Sequence, residues 1–175
     1  MTAFVALLRA VNVGGTGKLA MTELVALCEA AGFARVRTYI ASGNVVFTSD
    51  LVEPAVKAEL ERRLADHVGK PVGVAVRTAA EMASVRDANP FADAPGNRSV
   101  AIFLDAPPPA DTVQAARGRA GERISLGRRE IYVDYGEGMG QSKLRLPAAS
   151  AGTARNMNTV ARLAAMAAEL EGDRR

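Results

Sequence analysis

Hydrophobic and polar positions in residues 1–88 follow two periods, one typical of strands and one of helices. Phe4–Leu8 is a continuous apolar run, as in a central strand buried on both faces. Apolar residues recur at helical spacing in two longer stretches, the second starting near Pro54 and stopping at Gly69. We expect strands at 4–8, 35–41, 45–48 and 72–76 and helices at 21–31 and 54–69. This order of elements predicts a ferredoxin-like split β-α-β unit over 1–88.

The second half repeats this order with a weaker pattern. Residues 89–98, rich in Asn, Pro and Gly, predict a linker and a domain boundary. Beyond it we expect strands at 99–104, 123–126 and 130–135, a helix at 110–119 and a closing helix at 153–170. The predicted fold class is α+β, with two ferredoxin-like halves. The second half, 99–175, is degenerate and ends in the C-terminal helix.

A glycine-rich turn follows the first strand, at Val13-Gly14-Gly15-Thr16-Gly17-Lys18. It is not a P-loop, because Asn12 and Leu19 stand where that motif needs Gly and a Ser or Thr. It does not match the dinucleotide-binding pattern, because no acidic residue ends the next strand. Successive glycine amides followed by Lys18 can still hold an anion. A tight connection that needs only the backbone freedom of glycine is the alternative.

Gly136, Gly138 and Gly140 form a second glycine-rich turn, which is followed by Ser142 and Lys143. Its amides, hydroxyl and ammonium are groups that bind phosphate, although their order is not that of a P-loop. An anion site and an ordinary turn are again the two interpretations.

The predicted C-terminal helix carries polar residues on one side. At about 100° per residue, Arg155, Asn158, Thr159 and Arg162 fall on one stripe, opposite an apolar face. Asn and Thr are mediocre helix formers, so these residues and Asn156 indicate hydrogen bonding, with an exposed, capped face as the alternative. No acidic residue occurs between positions 138 and 168, which leaves a positive field that attracts anions.

Composition limits the remaining function classes. The 175 residues are 49% hydrophobic, enough for a real core, and no apolar stretch is long enough to span a membrane. The single cysteine, Cys28, excludes an internal disulfide; with no secretion signal apparent, we expect a cytoplasmic protein. One His and one Cys predict neither a metal site nor a Cys-His pair, and we expect no cofactor. Aromatic residues, at 5%, argue against RNA binding by base stacking.

Six segments form a recognisable set: Phe4–Gly15, Met21–Leu24, Val36–Phe47, Asn89–Phe91, Ser142–Leu144 and Thr153–Val160. Together they resemble a bacterial family, domain of unknown function 1697, over nearly the whole chain. Ala10 stands where the family usually has Gly, and Met157 where it usually has Trp. The resemblance implies a two-part α+β protein with ferredoxin-like halves, and it implies no activity, substrate or catalytic residues.

Three hypotheses for the function follow. The first is binding of a phosphate-bearing ligand, either a nucleotide or a nucleic-acid backbone. The second is an enzyme acting on a small anionic metabolite, with Tyr39 or Glu23 as acid or base. The third is a protein-interaction module or homo-oligomer without a small-molecule site. The ligand-binding residues predicted for the first are Arg9, Asn12, Gly14, Gly15, Lys18, Ser142, Lys143, Arg155, Asn156, Asn158 and Arg162.

Overall fold

The chain contains both strands and helices, as the change of hydrophobic period predicts. The computed structural model describes residues 1–12 and 18–173. The strands are β1 (Thr2–Leu8), β2 (Ala34–Thr38), β3 (Asn44–Ser49), β4 (Val74–Thr78), β5 (Ser99–Phe103), β6 (Arg123–Leu126), β7 (Glu130–Asp134) and β8 (Thr153–Asn156). The helices are α1 (Met21–Ala30), α2 (Glu53–Val68), α3 (Ala79–Asp87) and α4 (Met157–Gly172), with 3-10 helices at Gly136–Gln141 and Pro147–Ala149.

The chain divides into two compact units, and each contains one sheet. Unit 1 consists of Met1–Ala83 and Leu163–Arg175, and unit 2 consists of Ser84–Arg162. Each sheet has four antiparallel strands, and helices accompany them, so the predicted α+β class is confirmed.

In unit 1 the strand order is β2-β3-β1-β4, and β1 is a central strand. It pairs with β3 in a register that places Phe4 opposite Phe47, and with β4 in a register that places Phe4 opposite Thr78. All residues from Ala3 to Leu8 are buried. The continuous apolar run is therefore explained by burial on both faces of the sheet.

Helices α1 and α2 close the core of unit 1 on one face of this sheet. Leu24 and Cys28 on α1, and Val56, Leu60 and Leu64 on α2, have no exposed surface. Within each helix these residues are four positions apart, which puts them on one side. Full burial of a leucine contributes roughly 1.5–3 kcal/mol, so this apolar side is the main reason that both helices form.

The predicted ends of these helices have a simple backbone cause. Gly32, just past α1, has φ +86°, and Gly69, at the end of α2, has the same value. The Gly69 amide donates to the Ala65 carbonyl at 2.9 Å. The left-handed backbone conformation costs glycine little free energy, and a residue in this conformation terminates a helix.

The end of α4 is anchored to the sheet of unit 1. The Ala3 amide donates to Glu171 Oε1 at 3.0 Å. Arg35 on β2 donates to the Leu170 carbonyl at 3.1 Å and forms an ion pair with Asp173. These contacts join the last turns of the chain to β1 and β2.

The sheet of unit 2 has the order β6-β7-β5-β8, which matches that of unit 1 when the strands of each unit are counted from its first. Val100 and Ile102 on β5, with Ile131 and Val133 on β7, form its core together with Leu146. This cluster is smaller than the core of unit 1, and more of the apolar residues packed around it are only partly buried.

The helix predicted at 110–119 is wrong. The structure describes turns between β5 and β6, and Gly118 there has φ +67°. Arg117 forms a two-way backbone bridge with Arg145, with N–O distances of 2.9 and 2.7 Å. A helix through Arg117 would need those backbone groups for its own hydrogen bonds, so this long-range pairing replaces the local helix.

The predicted start of the C-terminal helix is also wrong. Thr153–Asn156 is strand β8, antiparallel to β5, and α4 begins at Met157. Thr153 and Arg155 are buried whereas Ala154 between them is exposed, which is the period of a strand. Because β8 pairs with the backbone of β5, this segment is held extended, and Arg155 does not share a helical stripe with Arg162.

The predicted linker packs within unit 2. The Phe91 ring is buried, with the Arg123 guanidinium 4.7 Å from its centre, and the Asn89 side chain accepts a hydrogen bond from the Phe91 amide at 3.0 Å. A cation over an aromatic face is a favourable contact. The domain boundary at 89–98 stays a prediction.

Candidate functional site

The predicted ligand-binding residues fall in both units. Arg9, Asn12 and Lys18 belong to unit 1. The others that are described belong to unit 2, namely Ser142, Lys143, Arg155, Asn156, Asn158 and Arg162. Gly14 and Gly15, with the rest of 13–17, lie outside the described residues.

The Asn12 side chain fastens the two chain segments that flank 13–17. Its Oδ1 accepts the Leu19 amide at 2.8 Å, and its Nδ2 donates to the Leu19 carbonyl at 2.8 Å. Nδ2 also donates to the Ala41 carbonyl at 2.9 Å. An amide has two donor hydrogens, and both are used, so Asn12 holds together the segments that flank 13–17 rather than offering donors to a ligand. We call these three bonds the Asn12 clasp.

The turn between β2 and β3 packs against the C-terminal end of β1, which leads to Asn12. Asn44 Nδ2 donates to the Tyr39 carbonyl at 2.9 Å and to Ser42 Oγ at 2.8 Å. Gly43 has φ +90°, and a Cβ there would lie 2.7 Å from the Val11 side chain. Glycine is therefore required at this position, both by the positive φ and by the close approach of the Val11 side chain.

Backbone strain is concentrated around the clasp. Ala10 has φ +55°, Asn12 +56° and Ile40 +51°, all in the left-handed region. Asn tolerates this region, whereas a β-branched residue there is an outlier. Ile40 is also 51% exposed. Strained residues of this kind often cluster at functional sites.

Charged residues flank the clasp in the sequence. Arg9 and Lys18 are exposed. Glu23, in the first turn of α1, shares a hydrogen bond with His67 of α2, with 2.6 Å between Glu23 Oε2 and His67 Nε2. The enzyme hypothesis named Glu23 as an acid or base, and this contact gives the carboxylate a partner within the fold.

The second glycine turn is a 3-10 helix, and a carboxylate lies beside it. Ser142 Oγ donates to Glu122 Oε2 at 3.1 Å, and the Gly136 amide donates to Asp134 Oδ1 at 3.0 Å. Hydrogen bonds from the Ala120 amide, from the Glu122 amide and from Ser142 lower the pKa of Glu122. Charged oxygens therefore occupy donors that the prediction assigned to phosphate.

These residues border a cavity of about 460 Å³ in unit 2, lined by parts of 118–122 and 135–143. Its lining includes Glu122, Tyr135, Ser142 and Lys143. Burial, with the nearby Glu122 charge, raises the pKa of the Tyr135 hydroxyl, which therefore stays protonated at neutral pH.

Arg155 is a buried residue of β8, only 8% exposed. Its Nη1 donates to Thr153 Oγ1 at 2.7 Å and to the Ala154 carbonyl at 2.9 Å. Burial lowers its pKa to about 10. An arginine whose guanidinium is engaged by the fold is poorly placed to meet an incoming ligand.

The asparagines at the start of α4 have different surroundings. Asn156 Oδ1 accepts the Thr159 amide at 2.9 Å, which is an N-cap bond. Asn158 lies over Gly96, where a Cβ would collide with its side-chain oxygen. Arg162 is exposed on α4. The capping alternative therefore explains Asn156.

Glu122 is the residue of this region that the sequence-based prediction missed. It is the single acid between Arg117 and Arg129, and it is 5% exposed. An isolated acid within a basic run was the available signal.

The described residues include no group of three or more His, Cys, Asp or Glu that could hold a metal ion, and no described helix is long and apolar enough to cross a bilayer.

Comparisons with other proteins show a family and a fold. A family model described as "Protein of unknown function (DUF1697)" matches residues 1–132. The chain is similar to a solved structure of the conserved bacterial protein SP0830 from Streptococcus pneumoniae, with 22% identity and a TM-score of 0.77. The similarity covers 95% of this chain and 98% of the other. No curated protein matches the chain.

Proposed function

The chain belongs to the family described as Protein of unknown function (DUF1697), and from that premise we propose that it binds a phosphate-bearing ligand at the segment 9–19 of unit 1. The ligand is a nucleotide or a nucleic-acid backbone. The single observation that carries this proposal is the Asn12 clasp, which holds the ends of a glycine-rich segment together; Arg9 and Lys18, near it in the sequence, are exposed.

The clasp matters because it lowers the cost of binding. A segment whose ends are already fastened loses less conformational freedom when a ligand binds. Three glycines between Asn12 and Lys18 have no side chains that would keep a phosphate from the backbone amides. Arg9 and Lys18 supply the positive charges.

The strain around the clasp supports the same location. Ala10 and Ile40 adopt left-handed backbone conformations although neither is a residue that favours them. Such conformations cost of order 1–3 kcal/mol each and persist where the surrounding structure enforces them, which is common at ligand sites.

The contacts within unit 2 reduce the number of residues that we propose to bind the ligand. Asn156 caps α4, Arg155 is buried in β8, and Ser142 donates to Glu122. The proposal therefore rests on Arg9, Lys18 and the glycine amides of unit 1, and it gives Asn12 a positioning role.

The test is a titration of the purified chain with inorganic diphosphate, a nucleoside triphosphate and a short oligonucleotide, at about 50 mM and about 200 mM salt. We expect binding at low salt, weaker binding at high salt, and about a tenfold loss in Lys18→Gln. Arg62→Gln removes the same charge from an exposed position on α2 and should bind as the wild type does. No binding of any of the three at low salt would refute the proposal.

We also propose that both units are ferredoxin-like and that the protein is cytoplasmic. The shared order β2-β3-β1-β4 and β6-β7-β5-β8 supports the first point, as does the sequence α1, β2, β3, α2 between β1 and β4. The single cysteine supports the second, because Cys28 is buried and one cysteine cannot form an internal disulfide.

A further inference from the structure

The cavity of unit 2 has the size of a small-molecule site. At about 460 Å³ it lies within the range of roughly 300–1,000 Å³ that ligand pockets have. Small residues make up much of its lining: Gly118, Ala120, Gly121, Gly136 and Gly138. The polar side chains in the lining are therefore the groups that determine which ligand fits.

Glu122 provides the buried charge of this cavity. Its carboxylate accepts the Ala120 amide at 2.7 Å and the Ser142 hydroxyl at 3.1 Å, and the residue is 5% exposed. These two donors and the amide of Glu122 itself are neutral, and together they occupy three of the roughly four acceptor positions of a carboxylate. Arg119 donates to the main-chain carbonyl of Glu122, at 3.0 Å. The carboxylate is thus held in place while it keeps its negative charge.

The hydroxyls of Ser142 and Tyr135 lie near this carboxylate, and the Arg119 charge is close enough to help lower its pKa. Tyr135 is partly buried, and its raised pKa keeps the phenol protonated. A phosphate placed here would lose its hydration next to a like charge, which is unfavourable. A protonated amine would instead form a charge-assisted hydrogen bond with Glu122, and hydroxyl oxygens could accept its other hydrogens.

We propose that this cavity binds a small molecule of about amino-acid size that carries a protonated amine, with its ammonium group on the Glu122 carboxylate. The site and ligand are distinct from the phosphate site proposed for unit 1. Glu137, Gln141 and Lys143, which are exposed, also line the cavity. Lys143 suits the carboxylate of an amino acid, whereas Glu137 suits the second ammonium of a diamine.

Two glycines of one 3-10 helix offer a matched pair of variants. Gly138 lines the cavity and Gly140 does not. At both positions an added Cβ meets no atom within 4 Å, and neither has a left-handed φ. Leucine should therefore be accepted by the fold at either position, but only Gly138→Leu should reduce the space for a ligand.

The experiment is calorimetric titration of the full chain with a panel of L-amino acids and with putrescine and spermidine. We expect at least one probe to bind the wild type and Gly140→Leu equally, and to bind Glu122→Gln and Gly138→Leu at least about tenfold more weakly. Thermal unfolding checks that each variant is folded. If Glu122→Gln does not fold, Gly138→Leu still tests the site.

Lys143→Gln distinguishes the two sources of the amine. It should weaken an amino acid by several-fold and leave a polyamine unchanged or bound more tightly. The proposal is overturned if no probe binds the wild type at about 10 mM, or if binding is the same in Gly138→Leu as in Gly140→Leu.

Discussion

In unit 1 the connections after β1 and β3 contain α1 and α2, whereas the matching connections of unit 2 contain turns and two 3-10 helices. The two sheets nevertheless share one strand order. Leu24, Cys28, Val56, Leu60 and Leu64 come from the helices of unit 1 and are fully buried. An amphipathic helix packs its apolar side densely on a sheet, whereas the two irregular connections of unit 2 leave space, and their residues line the cavity beside Glu122.

The largest expected effect compares the two coverings directly. Leu64→Ala, on α2, should lower the free energy of unfolding by about 3–5 kcal/mol, because the rigid neighbours of a fully buried leucine leave a cavity. Leu146→Ala, in the connection before β8, should cost only about 2 kcal/mol, because its partly buried neighbours can relax. Urea unfolding measures both. Equal losses would mean that the two cores are equally well packed.

The second effect concerns how each unit fastens the connection after its first strand. Unit 1 uses one side chain, Asn12, whereas unit 2 uses the backbone bridge of Arg117 and Arg145. Asn12→Gly keeps the left-handed backbone accessible and removes all three bonds of the clasp. We expect a loss of about 1–3 kcal/mol in the free energy of unfolding.

Asn89→Gly is the matched control, because the Asn89 side chain accepts one bond, from the Phe91 amide. Its loss should be about 1 kcal/mol. If both variants lose the same stability in urea, the clasp does not fasten the segment.

Unit 1 was the easier half to predict because its pattern agrees with its long-range contacts. The apolar run of β1 and the helical spacing on α2 each indicate the element that forms. The 110–119 segment has residues compatible with a helix, yet the bridge at Arg117 depends on a partner 28 positions away. Thr153–Asn156 likewise becomes a strand through pairing with β5. The spacing of apolar residues within a segment does not indicate which distant segment it will pair with.

The candidate sites show the same limit. The cations Arg9 and Lys18 and the glycine turns are visible in the sequence. Glu122 lies 20 positions before Ser142, and the Asn12 clasp reaches Ala41, 29 positions away. The residue type shows which hydrogen bonds a side chain can make. Only the fold shows whether neighbouring groups already occupy its donors and acceptors.

The smallest expected effect tests a difference in strain. Among the described residues, four non-glycine residues have positive φ, and all four belong to unit 1. Ala10 is one of them, with φ +55°. A left-handed conformation costs an L-residue about 1–2 kcal/mol, and glycine offsets part of that gain through its larger entropy when unfolded.

Ala10→Gly should therefore raise the free energy of unfolding by about 0.5–1 kcal/mol, seen as a higher urea midpoint. Ala58→Gly, at an exposed position inside α2, should lower it by about 1 kcal/mol, because glycine is a poor helix former. If the Ala→Gly substitution raises the free energy of unfolding at position 10 and lowers it at position 58, the backbone at the end of β1 is strained. A loss of stability in both variants would mean that Ala10 is relaxed in its left-handed conformation, and the strain argument for a ligand site beside Asn12 would then fail.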